Sequence, residues 1–150
     1  MTAASVDASS FPGGKSRNGW SQELTTLEMN TLVDKKDEPP WKGKYLHKFP
    51  RRGFFGCRGC KKPLYSTSSK FDGGAGWASF QSCYENSLVI DSVSFESDVE
   101  VSLVVCSNCG AYIGKVHVGE YRTVTNERHA VNSLSIVHTS ERPPSLLEVT

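Results

Sequence analysis

The chain has 150 residues, a hydrophobic fraction of 37% and a formal net charge of +1. This length favours one domain with tails, and the near-neutral charge argues against a nucleic-acid partner. No apolar run approaches the roughly 18 residues that cross a bilayer, which argues against a membrane partner.

The first 20 residues are predicted to form a disordered tail, because they are rich in serine, alanine and glycine and have no hydrophobic period. They lack the apolar segment that begins a secreted protein. Lys15 and Arg17 among several serines leave a mitochondrial presequence open as an alternative. The sequence therefore favours an intracellular protein, in the cytoplasm or alternatively in mitochondria.

A short N-terminal helix is predicted over "SQELTTLEMNTLVD", at the start of a domain that spans residues 21–141. Ser21 is the expected N-cap, and Leu24 and Leu27 follow at helical spacing. The charged, proline-containing stretch "DKKDEPPWKGKY" then ends the helix and begins an extended segment.

The rest of the domain has the pattern of β-strands. The stretch "VEVSLVV" alternates so that Val99 and Val101 share one face, and "AVNSLSIV" predicts a regular strand with Ala130 and Asn132 on one face. The glycine-rich stretch "FDGGAGWASF" predicts a loop in which the backbone passes close to another group. The fold class is therefore predicted to be all-β or β-dominated.

The C-terminal residues 142–150 are predicted to form a frayed tail. They read "RPPSLLEVT", and Pro143 and Pro144 cannot continue a central strand.

Five cysteines carry the clearest chemical signal, because four of them form the pairs "CRGC" and "CSNC". Two such pairs can complete a tetrahedral, structural zinc site without an open coordination position, whereas a redox pair or unrelated thiols are the alternatives. No histidine is placed to replace a ligand, and His117, His129 and His138 are expected on strand surfaces. The predicted ligands are Cys57, Cys60, Cys106 and Cys109, which leaves Cys83 over.

Residues 38–140 resemble the methionine-R-sulfoxide reductase (MsrB) family. The matching stretches occur in order as "EPPWKGKY", "GFFGCRGCKKPLY", "SSKFDGGAGWASF", "CSNCGAYIGK" and "RHAVNS". The resemblance implies twisted antiparallel sheets with a zinc site at the edge. It also implies a chemistry in which a cysteine thiolate attacks the sulfoxide sulfur, histidines and an asparagine handle the oxygen, and a tryptophan holds the methyl group.

The residues that this family uses are only partly present. The resemblance places Trp77 at the substrate-wall tryptophan and Asn132 at the active-site asparagine. The nucleophilic cysteine falls on Ala130, and the two histidines fall on Tyr112 and Lys115. The resemblance therefore implies a pocket formed by Trp77, Asn132 and Tyr112 but without its reacting sulfur.

Two further losses favour natural loss of activity over a single engineered substitution. The family's resolving cysteine falls on Ala75, and an arginine before the second cysteine pair falls on Val101. We therefore expect a domain without reductase activity that acts as a binding or scaffolding module. Its expected partner is a protein segment or a methionine-like side chain.

An active reductase remains the alternative hypothesis. Ala130 could be an engineered replacement of the nucleophile, or Cys83 could be a displaced nucleophile, activated by Lys115 or Tyr112. A zinc-ribbon-like nucleic-acid binder is a third hypothesis, which the near-neutral charge disfavours.

Overall fold

The computed structural model describes residues 11–145 and 148–149. Within them, short strands dominate and helices are brief, which confirms the β-dominated fold class. Helix α1 spans Arg17–Ser21 and helix α2 spans Thr26–Glu28, which continues into a π-helical turn at Met29–Val33. Single 3₁₀ turns lie at Thr67–Ser69 and Ser133–Ser135. The strands are β1 (Phe54–Cys57), β2 (Pro63–Ser66), β3 (Lys70–Phe71), β4 (Ala78–Phe80), β5 (Cys83–Tyr84), β6 (Leu88–Glu96), β7 (Val99–Cys106), β8 (Tyr112–Val118), β9 (Glu127–Val131), β10 (Ile136–Thr139) and β11 (Glu148–Val149).

The strands form three antiparallel sheets. The largest has six strands in the order β3-β4-β9-β8-β7-β6, the second has the order β10-β1-β2, and the third pairs β11 with β5. No helix of the described residues has the length and apolar character needed to cross a membrane.

Aromatic rings join the second sheet to the six-stranded sheet. Phe55 of β1 meets Phe80 of β4 edge to face at 5.1 Å between ring centroids, and Tyr65 of β2 stacks on the same ring at 4.3 Å. All three rings are fully buried. Phe80 is the Cα partner of His129, and its neighbour Ser79 is the partner of Ala130. Consecutive β9 side chains therefore point to opposite faces of the sheet, one into the core and the other away from it.

The N-terminal helical region differs from the single helix expected from Ser21. Ser21 is the last residue of α1, whose N-cap is Ser16. A new helix begins after Thr25, where the Thr25 hydroxyl accepts from the Glu28 backbone and the Glu28 carboxylate accepts from the Thr25 backbone. This reciprocal capping box is a stronger start signal than an isolated serine, so a helix within the predicted stretch begins after Thr25 and the expected N-cap at Ser21 is wrong.

The expected disorder of residues 1–20 is corrected for its second half. The side chain of Trp20 is only 2% exposed and belongs to the hydrophobic core, and Gly13 donates a backbone hydrogen bond to Asn108 at 2.7 Å. One large buried aromatic side chain anchors a segment whose average composition is that of a tail. The expectation for residues 1–10 lies outside the described residues.

The C-terminal expectation also needs a correction. Glu148 and Val149 pair with Tyr84 and Cys83 as strand β11, so this part of residues 142–150 is ordered along a strand. The two prolines precede the paired residues and therefore do not interrupt the pairing.

The regular strand expected over residues 130–137 is wrong. Strand β9 ends at Val131, and a 3₁₀ turn separates it from β10. The Ser135 hydroxyl donates to the Tyr112 carbonyl at 2.7 Å, and the Ser135 amide donates to the Asn132 carbonyl at 2.9 Å. These bonds favour a turn where the apolar period alone predicted continued alternation.

Candidate functional site

The predicted four-cysteine cluster is confirmed. The sulfur atoms of both pairs lie within 4.8 Å of one another, with Cys57 and Cys109 at 3.5 Å and Cys60 and Cys106 at 3.6 Å. Strand β1 delivers the first pair and strand β7 the second, each at its C-terminal end. Two elements distant in sequence therefore present four thiols to one point.

Both cysteine pairs lie on similar turns. The amide of Lys61 donates to the Cys57 carbonyl, and that of Gly110 donates to the Cys106 carbonyl, both at 2.8 Å. These donors follow the second cysteine of each pair and have positive φ. Gly59 serves a different purpose, because a Cβ there would lie 3.2 Å from the Cys109 sulfur.

This cluster has the chemistry of a metal site. Three of the four cysteines are buried, and the fourth is half-buried. Hydrogen bonds among the four thiols lower the pKa of Cys60 and Cys106 and raise the pKa of Cys57 and Cys109, because the closely packed sulfur atoms share their protons. Among the described residues the cluster consists of these four converging thiols, which can hold a metal ion in a closed site.

A cavity of about 200 Å³ lies on the face of the six-stranded sheet opposite the aromatic core. Ala75, Trp77 and Ala130 form its apolar wall. The Trp77 indole nitrogen donates to the Glu38 carbonyl at 3.0 Å, which fixes the ring. The charged and polar lining consists of Asp37, Glu96, Lys115, His117 and Arg128.

The register between β8 and β9 brings Ala130 beside Lys115, which is its Cα partner. A Cβ at Gly114 would overlap the Ala130 carbonyl oxygen, so the two strands approach closely only because this residue is glycine. The cavity lining contains no cysteine. Cys83 lies in β5, which pairs with β11, and packs against the hydrophobic core.

A single carboxylate joins the other residues that the sequence singled out. Asp37 Oδ1 accepts from the Tyr112 hydroxyl at 2.8 Å and from Asn132 Nδ2 at 3.1 Å. Asp37 Oδ2 lies 3.3 Å from Lys115 Nζ. Tyr112 and Asn132 are buried behind Asp37 and do not line the cavity, whereas Trp77 does.

A strap of residues 35–43 holds Asp37 in place. Next to it, the Glu38 amide donates to Asn132 Oδ1 at 2.9 Å, and Glu38 Oε1 accepts from the Leu134 amide at 3.0 Å. Further along, the Trp41 amide donates to the Gly76 carbonyl at 2.8 Å. The strap therefore contacts both the loop that carries Trp77 and the turn after β9.

Ion pairs occupy the charged side of the cavity. Arg128 donates to both carboxylate oxygens of Glu120, at 2.8 and 3.1 Å. Lys115 Nζ lies 3.5 Å from one Glu96 oxygen, and His117 Nε2 lies 3.5 Å from the other. The pocket therefore balances its two permanent cations with carboxylates.

The protonation states follow from these surroundings. Burial and the Asp37 carboxylate raise the pKa of Tyr112, so its hydroxyl is neutral at physiological pH. Burial acts to lower the pKa of Lys115, but Asp37 and Glu96 outweigh it and raise the pKa overall. Burial and then Arg128 lower the pKa of His117, so its ring is neutral at pH 7.

The three histidines expected on strand surfaces differ in their observed positions. His129 is buried, with Nδ1 2.8 Å from the Tyr65 hydroxyl and Nε2 2.8 Å from Glu127 Oε1, so the expected surface position is wrong. His129 lies on the core face of β9, where its ring contacts Tyr65 of β2. His117 lines the cavity, and His138 is half-buried and donates to the Arg52 carbonyl at 2.8 Å.

Several residues that line the cavity were not predicted from the sequence as pocket residues. His117 and Arg128 could have been found, because two-residue periodicity puts them on the same face as Lys115 and Ala130. Asp37 and Glu96 gave no such signal, since both reach the cavity from elements far away in sequence.

These features define a class of protein: a β-dominated domain with a four-thiol cluster that can hold a metal ion and a tryptophan-walled cavity on its main sheet. The family profile described as the SelR domain matches residues 24–140. The chain belongs to this family, which includes the MsrB proteins.

Three relatives illustrate the similarity. An uncharacterised protein of Schizosaccharomyces pombe is 36% identical, covering 84% of this chain and 91% of its own length. Peptide methionine sulfoxide reductase B3 of Arabidopsis thaliana is 34% identical, covering 91% of this chain and 77% of its own. Peptide methionine sulfoxide reductase MsrB of Leifsonia xyli is 35% identical, covering 81% and 87%.

Proposed function

We propose that this protein is a zinc-stabilised SelR domain without reductase activity, which binds a methionine-like side chain presented by a protein segment. One observation carries the proposal: the cavity beside Trp77 presents the methyl group of Ala130 and contains no thiol.

Reduction of a sulfoxide by the MsrB route begins with attack by a thiolate, and a methyl group cannot attack. Loss of an attacking residue typically costs on the order of 10⁴–10⁶ in rate. Neighbouring groups do not replace it, because Tyr112 is a neutral phenol and Lys115 a charged ammonium. Neither group can act as a nucleophile or a base in this state.

The position of Cys83 supports the same proposal. This thiol packs on the core side, in a strand of the third sheet, and does not line the cavity with Trp77. A substrate held against Trp77 would therefore not meet it in the geometry that attack requires.

Zinc is the metal that best suits the four cysteines. Four Zn–S bonds of about 2.3 Å in a tetrahedron put the sulfur atoms about 3.8 Å apart. The Cys57–Cys109 and Cys60–Cys106 distances of 3.5 and 3.6 Å approach this spacing. A site closed by four thiolates holds two loops together and offers no position to a substrate, so its role is structural. A reduced thiol site also favours an intracellular compartment.

The binding part of the proposal depends on the shape and polarity of the cavity. About 200 Å³ beside an indole and two methyl groups suits a flexible thioether, whose sulfur packs favourably against aromatic rings. Two relatives are named as peptide methionine sulfoxide reductases, and the word peptide in those names suggests that here too the side chain is presented within a peptide. Paired charges at the rim give no preference for an anionic partner such as nucleic acid.

Turnover of a peptide R-sulfoxide with dithiothreitol tests the loss of activity, using this protein and its Ala130→Cys variant. We expect no turnover by the protein with Ala130. Turnover above the dithiothreitol background would establish the alternative, an active reductase working through Cys83. Strong turnover by Ala130→Cys alone would instead indicate that Ala130 replaces the nucleophile of an otherwise intact enzyme.

A further inference from the structure

Asp37 is an acceptor on which three donors of the site converge. The Tyr112 hydroxyl and the Asn132 amide both reach Oδ1, at 2.8 and 3.1 Å, and the Lys115 ammonium reaches Oδ2 at 3.3 Å. A hydroxyl, an amide and an ammonium around one point form a receptor for an oxygen that carries negative charge.

We infer that Asp37 determines the specificity of the cavity: its carboxylate fills the place where a sulfoxide oxygen would be received, so that the site selects the reduced thioether over the sulfoxide. This inference rests on the proposed binding function and names the oxidation state of the ligand.

The first argument concerns the donors. A sulfoxide oxygen is a strong acceptor and loses free energy where the donors that would receive it are already bonded to another acceptor. Tyr112 has a single hydroxyl proton, which is already engaged in the hydrogen bond to Asp37. Asn132 divides its amide nitrogen between Asp37 and the Ile113 carbonyl, the latter at 3.2 Å.

The cations of the cavity are also engaged. Lys115 lies between the carboxylates of Asp37 and Glu96. Arg128 binds Glu120 with two of its nitrogens. A sulfoxide oxygen would have to compete with full negative charges for each of them, whereas a thioether makes no such demand.

The second argument concerns the rigidity of the strap. Glu38 follows Asp37 directly and is 5% exposed, with its amide and its carboxylate both bonded to the turn after β9. Its carbonyl accepts from Trp77. Asp37 therefore cannot leave the donors without disturbing the residue that also orients the cavity wall.

The apolar wall provides the attraction for the reduced form. A thioether sulfur and its methyl group can contact the Trp77 ring and the methyl groups of Ala75 and Ala130, without desolvating a strong dipole. Oxidation of the same side chain adds a polar oxygen, and the Asp37 carboxylate already occupies the position beside the three donors that this oxygen would need.

The test uses two probes, N-acetyl-methionine N-methylamide and its R-sulfoxide, titrated into the zinc-loaded protein. The Trp77 indole signal in ¹H–¹⁵N NMR spectra reports binding, and Trp77→Phe assigns it. We expect the thioether to bind about tenfold more tightly than the sulfoxide, which corresponds to one or two lost hydrogen bonds. In Asp37→Ala the three donors are released, and the ratio should fall about tenfold or reverse.

Two further variants test whether a change in the binding ratio is due to the Asp37 carboxylate. Asp37→Asn retains an acceptor but no charge and should give an intermediate ratio, and it replaces Asp37→Ala if that variant does not fold. Glu100→Gln removes an exposed carboxylate that does not line the cavity and bonds none of the three donors, so it should change the ratio by no more than about twofold.

The outcomes separate this inference from the proposed function. Thioether binding with a ratio that Asp37 variants leave unchanged would overturn the role of Asp37 and preserve the binding function. Tighter binding of the sulfoxide by the unaltered protein would also overturn it. Failure of both probes to shift the Trp77 signal would overturn the binding function, and the inference with it.

Discussion

The indole nitrogen of Trp77 donates a hydrogen bond of 3.0 Å to the backbone carbonyl of Glu38. This bond ties the wall of the cavity to the strap that carries Asp37. A backbone carbonyl 39 residues earlier in the chain therefore fixes the orientation of the ring. The cavity wall and the strap are linked by this bond and act as one structural unit.

Trp77→Phe tests this unit. Phenylalanine keeps an apolar ring but removes the donor, so we expect methionine-probe binding to weaken about tenfold and stability to fall by about 1 kcal/mol. Urea unfolding and fluorescence-detected peptide titration measure the two effects. Trp41→Phe is the matched control, because the Trp41 side chain is 59% exposed and its bond to Gly76 uses the backbone amide. Equal losses in both variants would contradict the special role of the Trp77 indole.

Replacement of one cluster cysteine should remove the metal and destabilise the fold. In Cys60→Ser we expect zinc content to fall from about one equivalent to near zero and the free energy of unfolding to fall by several kcal/mol. Zinc release monitored with a chromogenic chelator, together with thermal unfolding, checks both. Cys83→Ser is the control, since Cys83 lies outside the cluster and should leave the metal in place. A Cys60→Ser protein that retains one tightly bound zinc would contradict the four-thiol site.

Motifs that are local in sequence were the ones that sequence analysis could predict. Each cysteine pair is a single turn, and the pairing of the turns follows from the need of a metal for four ligands. Lys115 and Ala130 were identified because the family resemblance puts a histidine position and the nucleophile position on them. Strand register then brings the two residues together.

Contacts between distant segments could not be predicted in the same way. Asp37 meets Tyr112 across 75 residues and Asn132 across 95, and no local period encodes such a contact. The burial of His129 depends on which sheet covers the second face of β9, which the alternation of one strand does not specify. Trp20 joins the core through tertiary packing that overrides the composition of its surroundings.

A pH dependence is expected from His117. Burial, and then Arg128, lower its pKa in the folded protein below the unfolded value, so the folded state disfavours the protonated ring. Its contribution to stability is therefore present above about pH 6.5 and is lost as the pH falls through the folded pKa.

The difference in urea midpoint between the protein and His117→Gln, measured from pH 7.5 downwards, checks this expectation. The unaltered protein should lose stability relative to the variant on acidification. His47→Gln serves as the control because His47 lies on the exposed surface, away from the cavity. A difference that stays constant with pH would show that His117 titrates alike in both states.

The buried chain of Tyr65, His129 and Glu127 should contribute to stability independently of the cavity. The Tyr65 hydroxyl and His129 Nδ1 lie 2.8 Å apart, and both side chains are almost fully buried. Tyr65→Phe removes the hydroxyl and leaves a ring nitrogen without its partner, which costs about 1–3 kcal/mol. Because this chain lies on the opposite face of the sheet from Trp77, probe binding should not change. Tyr121→Phe, at a side chain 87% exposed, should leave stability within about 0.5 kcal/mol. A Tyr65→Phe protein as stable as Tyr121→Phe would mean that His129 finds another partner in the core.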